Sequence, residues 1–143
     1  MSDALALAAV FTWLGMVLAI SFLEAPLKFR APGITLALGL GIGRLVFRAL
    51  NACEIVLAAC LIAGAAAGAT ASTTAVVLAI VVAACLLIQV IALQPILDRR
   101  AKVIIEGGER TASKGHVAYI GLEVIKLGLL VATGVVLLHG LVS

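Results

Sequence analysis

The feature that most constrains this chain is four long apolar blocks, each about twenty residues or more, interrupted by only a few charges. They cover approximately residues 4–23, 45–67, 74–97 and 116–138. A helix needs about 20 apolar residues to cross the hydrocarbon core of a bilayer, so each block is long enough to span one. The blocks are rich in Ala, Leu, Val and Ile and show no strict alternation. Barrel strands would alternate over about ten residues, so helices are the solution that satisfies every backbone group in lipid. Composition removes the soluble alternative. The chain is 64% hydrophobic and 12% charged, with a mean hydropathy of +1.30, whereas soluble domains are roughly half apolar and a quarter charged. A soluble chain of 143 residues could not bury that much aliphatic surface in one core. The expected fold class is all-α, a single four-helix transmembrane bundle over residues 1–143. The first block starts Met-Ser-Asp, has no basic leader and runs on into more membrane sequence, so it reads as a retained helix and not a cleaved signal.

The charges set an orientation. All ten Lys and Arg residues lie in, beside or toward the first and third connections, and the second connection, Gly64 to Thr74, carries none. By the positive-inside rule both basic connections are expected in the cytoplasm of a bacterial inner membrane, with both termini outside. The net charge of +3 is thus a topology signal. Nucleic-acid binding would need a basic, aromatic-bearing face on a solvated domain, and none is present.

The chain aligns with itself at one offset. Sixty-nine positions separate Pro26 from Pro95, Arg30 from Arg99, Gly39 from Gly108 and Glu54 from Glu123. Each half reads as a helix with Pro near its basic end, a basic connection, and a helix carrying one glutamate. Tandem duplication of a helical hairpin would relate the halves by a pseudo-twofold axis along the membrane normal. Pro32-Gly33 breaks the first connection. Residues 33–43 then read either as a short interfacial helix or as the start of the second span, with Gly39 and Gly43 at close contacts. In the third connection Gly107-Gly108 marks a turn, and Ser113 is placed to cap the fourth helix.

Polar residues inside the spans are the candidates for function. Arg44, Arg48, Asn51 and Glu54 fall on one face of the second helix, and His116, Tyr119, Glu123 and Lys126 on one face of the fourth. At the helical rise, Glu54 is about 15 Å inward from Arg44, and Lys126 about 15 Å from His116. Two carboxylates and an ammonium should therefore share one level near mid-bilayer. Glu24 and Gln94 lie near the basic ends of the first and third helices, with Gln89 deeper. A charge at the bilayer centre costs about 3 kcal/mol on insertion scales, so these side chains should face inward and meet. Either a glutamate finds a cation, Glu54 pairing with Lys126 or Glu123 with Arg48, or the two glutamates face each other, share a proton and titrate as one unit. Such a centre serves a proton or cation pathway, or else fixes helix register and partner choice.

Other chemistries find less in the sequence. Cys53, Cys60 and Cys85 all fall within spans, without CxxC spacing or a histidine partner, and read as small core residues; a soft-metal site with Met16 is the remote alternative. His116 and His139 lie at opposite ends of one helix and cannot bracket a haem. No zinc motif is present. No metal or other cofactor is expected, and with no nucleophile motif no enzymatic activity either; His116 and Glu123 as an acid–base pair is the weakest option. "GLGIG" (Gly39 to Gly43) and "GAAAG" (Gly64 to Gly68) are small-xxx-small motifs that suit tight packing within the chain or a homodimer.

The segments "FLEAPLKFRAPG", "RALNACE", "LQPILDRRAKVIIEGG" and "HVAYIGLEVIK" together resemble small four-span bacterial membrane proteins of unassigned function. At greater distance they are similar to the copper-resistance D-type membrane domains. The resemblance implies a four-helix inner-membrane protein. It does not extend to copper, because the histidine and methionine pattern of such transport is missing from this chain. The expected function is transport or permeation of protons or a small ion at Glu54 and Glu123, tuned by Lys126, Arg48 and Asn51, with His116 and Tyr119 as a relay on the basic side. The alternative is an accessory or scaffold subunit. A homo-oligomer or a larger membrane complex is expected, because four helices enclose little room for a pathway.

Overall fold

A computed structural model describes residues 1–68, 72–108 and 114–142. Four long helices account for nearly all of them: α1 (Ser2–Arg30), α2 (Leu36–Ala67), α3 (Thr73–Ile105) and α4 (Lys114–Val142). Each is long and apolar enough to cross a membrane, and at 29 to 33 residues each is about 44–50 Å long. The hydrocarbon core is only about 30 Å thick, so the helices extend beyond it. The order is up-down-up-down. Helix α1 packs on α2 and α4, and α3 packs on the same two, which leaves α1–α3 and α2–α4 as the diagonals. An all-α four-helix bundle is the observed fold, as the apolar blocks required.

Helix starts and stops follow local chemistry. The Thr35 hydroxyl accepts the Leu38 N–H to cap α2, and the Ser72 hydroxyl accepts the Ala75 N–H to cap α3, each satisfying a donor that the first turn leaves over. Ser113, expected to cap α4, lies outside the described residues. Helix α3 ends in a Schellman turn: the Gly108 N–H donates to the Val103 carbonyl and the Gly107 N–H to Ile104. Gly107 takes a φ of 91° there, which is why a glycine stands at that position. Pro32-Gly33 makes the tight turn before α2. Residues 36–43 are the opening turns of α2 itself and not a separate helix.

Both prolines inside spans leave the same mark. Leu18–Glu24 in α1 and Gln89–Leu93 in α3 are π-helical. Pro26 and Pro95 have no N–H for the carbonyl four residues back, on Phe22 and Ile91, and their rings crowd it, so the preceding turn widens. The Ala25 N–H then reaches the Ile20 carbonyl, and the Gln94 N–H the Gln89 carbonyl. These two pairs are themselves 69 positions apart. The sequence offset thus reappears as a shared backbone irregularity.

The core has two parts. Toward the termini it is apolar and small: Ala6, Ala9 and Val10 of α1 meet Ala58, Leu61 and Ala65 of α2, Ala75, Ala79 and Val82 of α3, and Leu130 and Leu137 of α4. Lipid tails are as apolar as these side chains, so close van der Waals fit, not exclusion from water, holds this half together. The Gly64–Gly68 motif serves that fit within the chain, and the Gly39–Gly43 motif makes its close contacts at the basic end. Gly64 lies against the Ser2 carbonyl and Ala6 backbone, Gly68 against Asp3, and Gly39 and Gly43 against Phe29 and Lys28. The outward faces carry large apolar side chains such as Leu45, Ile91 and Val117, as a surface solvated by acyl chains should.

Candidate functional site

Midway along the bundle the apolar core gives way to one buried polar centre to which all four helices contribute. Lys126 of α4 stands between two carboxylates, with its Nζ 2.6 Å from Glu54 Oε1 of α2 and 2.9 Å from Glu123 Oε1 of α4. It donates a third bond, at 2.8 Å, to Gln89 Oε1 of α3. The Gln89 amide in turn donates to Glu123 Oε1 at 2.8 Å. The Trp13 indole N–H of α1 donates to Glu54 Oε1 at 2.7 Å. Glu54, Gln89, Lys126 and Trp13 have no exposed surface, and Glu123 almost none.

The three donors of Lys126 thus meet three acceptors, the full capacity of an ammonium. The carboxylates are less complete. Each has one oxygen with two donors, while Glu54 Oε2 and Glu123 Oε2 have no hydrogen-bond partner among the described residues. The Tyr119 hydroxyl and Asn51 Oδ1, one turn nearer the basic end, are likewise without a partner. The Tyr119 ring packs edge-on against Phe47 of the diagonal helix. The charge count is two carboxylates to one ammonium, in a setting where charges are costly.

Toward the basic end the polar contacts continue between α2 and α3. Asn51 donates to Gln94 at 2.6 Å. One turn further, Arg44 and Arg48 both bind Asp98, at 3.2 and 3.1 Å. Glu24 pairs with Lys28 at 3.3 Å, and the Lys28 ammonium also lies over the Phe29 and Phe47 rings. No comparable polar chain links the centre to the termini end among the described residues. The fully buried Thr133 hydroxyl there donates to its own helix at the Leu129 carbonyl.

The structure therefore joins Glu54, Glu123 and Lys126, and seats Asn51, Gln94 and Tyr119 on the basic side of them. The expected pair of Glu123 with Arg48 is not formed. The Arg48 side chain is 64% exposed and bound to Asp98, roughly two turns from the centre. Nor do the glutamates face each other directly; Lys126 lies between them. His116 is exposed at the basic end of α4 and His139 near the other end. Two participants went unrecognised in the sequence. Trp13 is the chain's one tryptophan, and a buried indole N–H requires an acceptor, a signal that could have drawn it toward a buried carboxylate. Asp98 follows Gln94 by one turn, on the face that α2 presents its arginines to.

Among the described residues, no three His, Cys, Asp or Glu side chains gather as a metal-binding group. Met16 and Cys53 do share an open, apolar groove of about 460 Å³ on the lipid side of the α1–α2 seam, with Thr12, Ala52, Val56 and Leu57. Cys60 and Cys85 lie elsewhere, and all three thiols are free. No protein-family model, characterised protein or solved structure matches the chain. Fold and site together describe a multi-pass membrane protein with a buried Glu–Lys–Glu centre.

Proposed function

We propose that this protein takes up and releases a single proton at the Glu54–Lys126–Glu123 centre, as the working step of proton or small-ion transport across the bacterial inner membrane. The observation that carries this reading is the unequal count of charges: two buried carboxylates share one ammonium. One proton on either free carboxylate oxygen leaves the centre neutral, and its departure leaves one uncompensated negative charge. A purely structural ion pair has no need of the second carboxylate.

The distribution of polar groups supports entry from the basic end, which the positive-inside rule puts in the cytoplasm. Tyr119 and Asn51 are the nearest hydrogen-bonding groups on that side, and Gln94 follows. His116 completes the relay where α4 emerges. The small-residue core closes the termini end, so full transfer requires that half to part or a second subunit to supply the exit. Purified protein reconstituted in vesicles with an internal pH dye should carry protons down an imposed gradient. Glu54→Gln should fold and abolish that flux; flux equal to wild type in this variant would remove the reading.

A second reading is favoured by one feature, that the centre ties all four helices to a single lysine. In an accessory subunit the same network would set the geometry presented to a partner. Native mass spectrometry from mild detergent separates the two. A stoichiometric partner lost in Glu54→Gln supports the accessory role, whereas a monomer that purifies alone counts against it.

A further inference from the structure

The geometry points to the two π segments as paired hinges, through which proton occupancy of the Glu–Lys–Glu centre controls access from the basic end. This inference rests on the proton reading above and supplies its regulation. The segments occupy matching places in the repeat, Leu18–Glu24 in α1 and Gln89–Leu93 in α3. They stand between the centre and the basic-end arms of those helices. A widened turn lacks the regular bonding of its neighbours and marks a point where a helix bends.

Gln89 joins hinge to centre. Its side chain accepts from Lys126 and donates to Glu123, while its backbone carbonyl takes the Gln94 N–H that closes the π turn. The Gln94 side chain accepts in turn from Asn51 of α2. A continuous chain thus runs from the titrating centre, through the hinge, to the contact that fastens the α3 arm to α2. The hydroxyl of Ser21, inside the α1 segment, has no partner among the described residues.

The coupling follows from donor and acceptor chemistry. An ionised Glu123 accepts from both Gln89 and Lys126 through charge-assisted bonds. A proton on Glu123 converts one carboxylate oxygen into a donor and weakens those bonds, which leaves Gln89 held by Lys126 alone and loosens the α3 hinge. The ionisable groups at the centre are Glu54 from α2, and Glu123, Lys126 and the Tyr119 hydroxyl from α4. Helices α1 and α3 supply the neutral donors Trp13 and Gln89. Beyond the hinges stand the Glu24–Lys28 pair and the Arg44–Asp98–Arg48 group.

The test is amide hydrogen exchange of the wild-type protein in lipid nanodiscs over a pH series, with the infrared band of protonated carboxyl groups followed on the same sample. As that band grows on acidification, exchange across residues 18–24 and 89–93 should rise several-fold over the trend of the neighbouring α-helical amides. Pro95→Ala restores the missing N–H and should abolish the extra rise at 89–93 while the carboxyl band still titrates. A titrating band with no selective change at the two segments overturns the hinge and leaves the proton centre standing. An equal rise in all four helices is general loosening and overturns it too. Absence of any titrating band removes the proton reading and the hinge with it. The wild-type result alone decides if Pro95→Ala does not fold.

Discussion

The two halves of this bundle are held by different physics. In the half toward the termini, alanines and glycines let backbones approach closely, as Gly64 does against Ser2 and Ala6, and the buried core is almost wholly apolar. In the half toward the basic connections, long polar side chains reach across: Asn51 to Gln94, Arg44 and Arg48 to Asp98, and at the boundary Lys126 to Glu54. Fit by small residues is non-directional, summing many weak contacts. Polar contacts in lipid are few, directional and costly when incomplete. The first kind of packing can hold helices together, whereas the second decides which positions face which. The termini half therefore reads as a clamp, and the basic half as the part able to change state.

The largest expected effect comes from removing the cation that joins the halves. Lys126→Met leaves two carboxylates buried without compensation and should destabilise by about 3–5 kcal/mol, measured as detergent-induced unfolding. Replacing the whole centre sharpens the point: Lys126→Met with Glu54→Gln and Glu123→Gln should recover most of that loss, because no isolated charge then remains. If the triple variant is as unstable as the single one, the charge argument fails.

Next comes the clamp. A Cβ at Gly64 would press on the Ser2 and Ala6 backbone of α1, which cannot move aside as a side-chain tip can. Gly64→Val should cost about 1–3 kcal/mol while leaving the carboxyl infrared signature of the centre unchanged. A shifted signature would show that the halves are not separable.

Trp13→Phe keeps the ring volume nearly intact and deletes the indole N–H that Glu54 accepts. A loss of about 1–2 kcal/mol is expected. Since Trp13 is the sole tryptophan, its emission in the otherwise native chain also reports on the centre, and Glu54→Gln should shift it. The smallest effect belongs to the basic-end surface. Arg48→Ala removes an exposed partner of Asp98 that Arg44 still holds. Stability should change by less than about 1 kcal/mol, and a larger loss would mean that this end is more tightly organised than its exposure indicates.

Much of this was legible in the residues. The four blocks announced four spanning helices because bilayer thickness and backbone hydrogen bonding leave a chain of this composition no other choice. Pro26 and Pro95 were legible as matching positions of the repeat, near the basic ends of their helices, whereas the π turns before them required the positions of Ile20, Ala25, Gln89 and Gln94 in space. Glu54, Glu123 and Lys126 could be expected at one depth from counting turns alone. The partner of Arg48 could not: along one helix its distance from Asp98 of another has no expression in sequence. Trp13 looked like any core aromatic until its acceptor was placed beside it.

By itself the sequence determined the environment, the number of crossings and the depth of the buried charges, because these depend on hydropathy and helical rise, both properties of a single strand. Only the tertiary structure decided that one lysine stands between two glutamates and that α1 and α3 each send a neutral donor to them. Those outcomes depend on the rotation of each helix about its own axis against its neighbours, which is set by close packing over the whole length of the bundle and not by any local run of residues.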